Sequence, residues 1–296
     1  MVDSTPPPTG RGGSPPRSAA GHVRFGPRGG TAGYGGRRDR GGVVRLTWYG
    51  HSTVWIEDSD TRLLTDPLLR DRLAHLRRRR GPTPRLPGAP DAVLVSHLHA
   101  DHLDFASLRR LPPDTALVVP AGAGRVVRQA LGAAAARRCT ELAVGDRTTI
   151  GRVTVAAVPA AHHAGRGPWS RHRAPALGYL IDGGLRTWFA GDTGLFDEMA
   201  GLGPLDLALV PVGGWGPTLG PGHLDPAGAA EAVRRVAAAR AVPIHFGTFW
   251  PVGCERVRPD RFFGPGDDFA RHAEAVSPGT RVHVLRPGES VAVRRP

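Results

Sequence analysis

Between positions 97 and 102 the chain reads His97-Leu98-His99-Ala100-Asp101-His102, four metal-capable side chains within six residues. They follow the apolar run Ala92-Val93-Leu94-Val95-Ser96, which reads as a buried strand. Neutral imidazole and carboxylate are ligands that zinc and related divalent ions prefer. Burying so many polar groups without an ion would leave each one in need of its own partner. A solvated His-rich turn would account for one or two of the histidines. Three of them with an aspartate, at this spacing, point to a metal.

A catalytic metal site draws ligands from several strand ends and keeps a position open. The later sequence offers residues in that context. His162 follows the strand Val153–Val158. Asp192 follows Thr187–Ala190, in Gly191-Asp192-Thr193-Gly194, and His245 closes Val242–His245 before Phe246-Gly247-Thr248-Phe249. Singly, each matches an ordinary hydrogen-bonded histidine or a turn. Their order and spacing behind His97–His102 make the set specific.

The elements that must carry these side chains begin near Val43. Val43–Tyr49, Thr53–Glu57 and Arg62–Thr65 alternate as an antiparallel meander would. Further strands are predicted over Ala92–Ser96, Ala116–Val119, Val153–Val158, Leu177–Ile181, Thr187–Ala190, Leu205–Val210, Val242–His245 and Arg281–Leu285. Helices are predicted over Phe105–Arg110, Arg125–Leu131, Leu195–Gly201, Pro226–Arg240 and Asp267–Ala275. Asp225 can cap the Pro226–Arg240 helix and Pro226 suits its first turn. Ala229, Val233, Val236 and Ala237 give that helix an apolar stripe, which is packing and not chemistry. The alternation implies an α/β domain with mixed sheets over residues 43–296.

Residues 1–42 are rich in Gly, Pro, Ser and Arg and lack aliphatic clusters, so they read as a disordered tail. The formal net charge of +13 invites a nucleic-acid hypothesis. The chain has no lysine, however, so the charge is all arginine, and Ala, Gly and Pro are abundant. That is a compositional bias, and nonspecific attraction to polyanions is all it predicts; no specific nucleic-acid partner is indicated. Cys139 and Cys254 form no CxxC pair, so nitrogen and oxygen must hold any metal. No apolar stretch is long enough for a transmembrane segment and the N-terminus lacks a signal-peptide core, so a cytoplasmic location is expected.

The HxHxDH run, the turn at Asp192 and the late His245 resemble the metallo-β-lactamase superfamily from Val43 to the C-terminus. Within it, Trp48-Tyr49-Gly50-His51-Ser52-Thr53, Pro159-Ala160-Ala161-His162, His223-Leu224-Asp225-Pro226 and His245-Phe246-Gly247-Thr248-Phe249 resemble one branch. That branch contains L-ascorbate-6-phosphate lactonase and N-acyl-phosphatidylethanolamine phospholipase D. The resemblance implies a four-layer αββα sandwich, two mixed sheets flanked by helices, with a dinuclear metal site in a cleft at the sheet edges. His97, His99 and His162 would hold the first ion, and Asp101, His102 and His245 the second. Asp192 would bridge them, since a carboxylate has two oxygens to share. Two divalent ions are implied, with zinc favoured over manganese or iron.

The reaction this implies is hydrolysis of an ester, lactone or phosphodiester bond by a metal-activated hydroxide, on a small or lipid-like anionic substrate. Asp101 could orient the nucleophile, and His223 is the candidate acid or substrate contact. A di-iron redox enzyme on this fold resembles HxExDH, against which His99 argues. A mononuclear iron thioesterase or sulfur-oxidising relative is the other alternative, and a basic nucleic-acid-binding protein the least favoured.

Other residues are weighed beside these. Asp66, before Pro67, either supports a ligand histidine or only makes a turn. His51 either sits near the cleft floor or only hydrogen-bonds backbone, with the structural role preferred, and His163 reads as exposed. The run Arg77–Arg80 reads as a solvated charged face. The segment Arg166–Arg173, with Trp169, Arg171 and His172, would overhang the cleft and could hold an acidic group.

Overall fold

A computed structural model describes residues 42–295 except Ala164, Pro168, Trp169 and Glu255. The tail read over residues 1–42 therefore lies outside the described residues, apart from Gly42, which already packs against Gly184.

In β1 (Val43–Gly50), Val44, Leu46 and Trp48 are buried while Val43 and Arg45 face out, the period-two pattern of a half-buried strand. β2 (Thr53–Asp58) and β3 (Thr61–Thr65) complete an antiparallel meander. The short β4 (Arg72–Leu73) and β5 (Leu76–Arg78) leave it as a separate hairpin. β6 (Ala92–Leu94), β7 (Ala116–Pro120) and β8 (Cys139–Leu142) then add in parallel. The second sheet opens with β9 (Arg147–Ile150), β10 (Val153–Pro159), β11 (Leu177–Asp182) and β12 (Arg186–Phe189), all antiparallel. β13 (Leu207–Pro211) and β14 (Arg240–Ile244) extend it in parallel. β15 (Phe249–Pro251) pairs with β5, β16 (Arg281–Val282) joins β14, and β17 (Ser290–Arg294) returns to β1.

Two seven-stranded mixed sheets result, in the orders β17-β1-β2-β3-β6-β7-β8 and β16-β14-β13-β12-β11-β10-β9, beside the small sheet β15-β5-β4. In both large sheets an antiparallel part gives way to a parallel one. The sheets face each other across one core in which Leu46, Trp48, Ile56 and Leu94 meet Val155, Tyr179, Trp188 and Leu209. The opposite face of the first sheet, with Val93, Val95 and Leu117, packs against Val126 and Val127 of a helix. That helix is α2 (Ala123–Leu131), which follows α1 (Phe105–Leu108) and precedes α3 (Ala133–Arg137). α4 (Pro226–Arg235) and α6 (Pro265–Val276) lie against each other and against the second sheet, with the short α5 (Pro259–Phe263) between them in sequence. Mixed sheets flanked by helices are thus what the chain forms. No helix among the described residues is long and apolar enough to cross a membrane.

The differences from the sequence expectation are local. The helix expected over Pro226–Arg240 stops at Arg235, because Ala237 turns left-handed (φ +46°) and Arg240 already belongs to β14. The helix expected over Leu195–Gly201 is a 3-10 turn over Asp197–Leu202, whose Gly201 and flanking Gly203 are poor helix formers. The strand Arg281–Leu285 shortens to Arg281–Val282. The end strands Cys139–Leu142 and Arg147–Ile150 carry too few apolar residues to show a pattern, and Ser290–Arg294 is a further strand that the sequence expectation lacks.

At α4 the expected cap is present: Asp225 Oδ1 accepts the Gly228 N–H at 2.8 Å, ahead of Pro226. Asp225→Ala is expected to cost about 1 kcal/mol, read as a lower urea midpoint with an unchanged slope. An unshifted midpoint would mean that this cap is not stabilising.

Candidate metal centre

The seven side chains singled out in sequence come from the ends of four strands. His97, His99, Asp101 and His102 lie on the loop after β6, His162 after β10, Asp192 after β12 and His245 after β14. The turn at Asp192 needs Gly191, which sits at φ +60° with Ser96 so close that a Cβ would lie 2.6 Å from the Ser96 Cβ.

Four of the imidazoles are tethered through Nδ1. His162 donates to the Gly222 carbonyl at 2.8 Å and His245 to the Gly213 carbonyl at 2.9 Å. His102 Nδ1 lies 2.6 Å from Asp66 Oδ2, an acceptor, and must be the donor. Ser96 Oγ donates to Asp66 Oδ2 at 2.5 Å, so the contact at 2.9 Å between Ser96 Oγ and His97 Nδ1 is donated by the ring. Each of these rings accordingly turns an Nε2 lone pair inward, the arrangement that holds metal-binding histidines in one tautomer.

The inward atoms form two groups. His97 Nε2 and His162 Nε2 lie 2.9 and 3.2 Å from His99 Nδ1, close to the roughly 3.3 Å edge of a nitrogen tetrahedron around zinc. In the second group, His102 Nε2 lies 3.2 Å from His245 Nε2, 3.2 Å from Asp192 Oδ2 and 3.6 Å from Asp101 Oδ2. Asp192 Oδ1 is 3.3 Å from His245 Nε2, yet it is buried and makes no hydrogen bond. Converging lone pairs and a buried, unsatisfied carboxylate oxygen suit a divalent cation, so the donor set fits a metal. His97, His99 and His162 could hold one ion, and Asp101, His102 and His245 with His51 another.

The electrostatics agree with that chemistry at four of the five imidazoles, His102 being the exception. Burial, with neighbouring His102, holds His97 well below its usual value and His99 at about 4, and burial also lowers His162 and His245. These rings are neutral at pH 7, as ligands must be. Burial pushes the Asp192 and Asp101 carboxyls up, but the imidazoles around them more than reverse this, and both stay well below the ordinary range. Burial lowers His102, while Asp192, Asp101 and Asp66 together hold it well above its ordinary value.

Two further residues stand against the cluster. His51 was expected to be structural; instead its Nε2 lies 2.9 Å from Asp101 Oδ2 and its ring 4.1 Å from that of His245. Its backbone is left-handed (φ +54°) and locked: Thr248 Oγ1 accepts from His51 N, while Trp48 Nε1 and His245 N donate to its carbonyl. Asp66 is fully buried and accepts from Ser96 N at 2.7 Å as well as from Ser96 Oγ and His102. Of the two readings for Asp66, support of a histidine is the one its geometry matches.

The candidate acid, His223, is tethered like the others, Nδ1 to the Gly220 carbonyl, with Nε2 3.4 Å from Asp192 Oδ2. Burial lowers its pKa, but Asp192 outweighs that and the net shift is upward. His163 is exposed, as expected.

The arginine segments divide differently. Arg78 is not part of a solvated face. It is buried, donates to the carbonyls of Tyr49 and Leu68, and lies over the Phe249 ring. Alternation within β5 explains this, since Arg77 faces out and Arg78 in. Arg166 is committed to the protein too: it donates to the carbonyls of Leu98 and Leu103 and covers Phe105, bracing the loop after β6. Arg171 is exposed, and Trp169 lies outside the described residues.

Comparison with known proteins gives the same family from sequence and fold. The profile of the "Beta-lactamase superfamily domain" matches residues 61–246. An N-acyl-phosphatidylethanolamine-hydrolyzing phospholipase D 1 of Caenorhabditis elegans is 33% identical over 70% of this chain, which spans 64% of that relative's length. A UPF0173 metal-dependent hydrolase of Carboxydothermus hydrogenoformans is 30% identical over 84% of the chain and its own whole length. Among solved structures, Igni18, a metallo hydrolase of Ignicoccus hospitalis, superposes with a TM-score of 0.63 at 22% identity, covering 84% of this chain and 98% of its own. The chain belongs to the metallo-β-lactamase superfamily and is a metal-dependent hydrolase.

Proposed function

We propose that the enzyme cleaves an ester, lactone or phosphodiester bond at a dinuclear centre, with zinc the favoured metal. The observation that carries this reading is the position of the Asp192 carboxylate, against His102 and His245 of one ligand-capable group and within ligand distance of His162 of the other. His97, His99 and His162 would hold one ion, Asp101, His102 and His245 the other, with Asp192 shared between them. Divalent ions bound there supply Lewis acidity, which lowers the pKa of water and polarises the electrophilic oxygen.

The side chains supply the rest. His51 fixes Asp101 through Oδ2, which leaves Oδ1 to hold a proton of the attacking water. His223 is held by Gly220 through Nδ1, and Asp192 raises its pKa, which favours the imidazolium form able to deliver the Nε2 proton to the leaving group. Tethered Nδ1 atoms keep His97, His102, His162 and His245 from rotating as charge develops.

The phospholipase D relative supports a lipid-like anionic substrate, and the uncharged remainder of such a substrate would suit the apolar walls beside His223. Cys139 and Cys254 are unpaired, which is consistent with a reducing compartment and supports a cytoplasmic placement.

The test is metal analysis joined to a substrate screen. About two equivalents of metal are expected per chain, and chelation should abolish turnover of a lactone, phosphodiester or carboxylic ester until divalent metal is restored. Turnover that survives complete chelation would overturn the proposal.

A further inference from the structure

A cavity of about 600 Å³ opens beside His223 and is walled by Leu195, Leu219 and Leu224, with Arg258 and Arg261 on its rim. Its size lies within the range of small-molecule sites. It adjoins the metal centre through one residue: His223 lines it, and the His223 Nε2 lies 3.4 Å from Asp192 Oδ2.

The two guanidiniums sit on a supported element. Arg258 precedes and Arg261 lies within α5, whose Phe262 packs against Trp250 at 5.1 Å between ring centroids. The Phe262 carbonyl approaches so closely to Gly247 that a Cβ there would lie 2.9 Å away. Gly247 follows His245 by two residues, so α5 is docked directly behind a candidate ligand.

Charge at this rim is unbalanced. Among the described residues, the carboxylate near the two arginines is Asp260, 3.4 Å from Arg258 and 4.0 Å from Arg261. Asp225 also lines the cavity, but its Oδ1 is committed to capping α4. Among the described residues, the two exposed guanidiniums therefore share one carboxylate within ion-pair distance, at the mouth of a pocket whose leucines stand beside Thr218, Asp225 and His223.

We propose that this pocket selects substrates carrying a second, anionic oxyacid group, a carboxylate or a phosphate, joined to the scissile bond by an apolar stem. Arg258 and Arg261 take the acid through paired N–H donors, which match carboxylate and phosphate geometry. Leu195, Leu219 and Leu224 cover the stem, and the ester is left at His223 and Asp192. The proposal rests on the hydrolase reading above and names the substrate class for the same site.

The test compares p-nitrophenyl hexanoate with two analogues that end the same chain in a carboxylate or a phosphonate, on zinc-loaded protein. Wild type is expected to favour at least one acidic ester at least tenfold in kcat/KM, and added NaCl should erode that preference. In the double variant Arg258→Gln/Arg261→Gln the ratio should fall to about one, while Arg152→Gln, remote and exposed, should retain it. Which acid is favoured identifies the group the pocket reads.

A wild-type ratio near one, or a preference that survives in the double variant, would overturn the proposal. The corresponding p-nitroanilide amides, titrated by calorimetry, separate its failure from failure of the hydrolase reading. If no ester is cleaved but an acidic amide binds at least tenfold tighter than the neutral one and loses this in the double variant, the pocket assignment stands and the hydrolase reading falls. Equal binding of all three amides would overturn the pocket assignment whatever the turnover.

Discussion

Asp192→Ala is expected to abolish hydrolysis, by on the order of a thousandfold or more, and to reduce bound metal in the same preparation. The physical reason is that Asp192 touches both ligand groups: its Oδ2 and Oδ1 face His102 and His245 of the second, and it groups with His162 of the first within ligand distance. Removing a side chain that two ions would share forfeits charge stabilisation worth several kcal/mol in the transition state, and each 1.36 kcal/mol is tenfold in rate. Folding should survive, because the flanking strands β12 and β13 keep their apolar faces in the core. Circular dichroism would establish that, metal analysis the loss of ions, and initial rates the loss of activity. Wild-type-like turnover in a metal-depleted Asp192→Ala sample would end the mechanism proposed above.

Asp66→Ala should be the most destabilising single change near the site. Asp66 is fully buried and takes three hydrogen bonds, two from Ser96 and one from His102. Truncation strands the Ser96 amide and hydroxyl together with the His102 Nδ1–H, and breaking a buried charged network costs about 3–5 kcal/mol. The same change frees the His102 and His97 rings, and loss of such a support weakens metal affinity about 10–100-fold. Urea denaturation of chelated protein reads the first effect, and competition with a metal-binding dye reads the second. If stability falls and affinity does not, Asp66 serves the fold alone. If neither changes, the network is not what holds the loop after β6.

The candidate site was largely legible in sequence because its polar residues stand in runs that apolar strands interrupt. His97 to His102 directly follow Val93 and Val95, and Asp192 directly follows the buried Phe189 and Ala190. His51 was not legible. It lies far from Asp101 in sequence, and what brings the two together is a left-handed backbone turn and a carbonyl shared by Trp48 and His245. Arg78 was misread for a related reason: four consecutive arginines look solvated in composition, while a strand turns every second one inward. The edge strands β8, β9 and β17 escaped notice because an edge needs only one covered face. The small sheet β15-β5-β4 depends on a pairing between Phe249 and Arg78 that no local pattern announces.

The tethers described for the imidazoles are of two kinds, and they make the two halves of the fold unequal under mutation. On the second sheet, His162 and His245 are held by main-chain carbonyls. A carbonyl is supplied whatever residue occupies the position, so Gly213, where a Cβ would meet only ordinary contacts, is open to drift. On the first sheet, His97 and His102 both trace back to the single Asp66 carboxylate. No neutral path leads away from that residue. A library built on this scaffold to change substrate can therefore vary Gly213 and its neighbours after β13, short of Gly222 and His223, and has to leave the Asp66-Ser96-His102 triangle untouched.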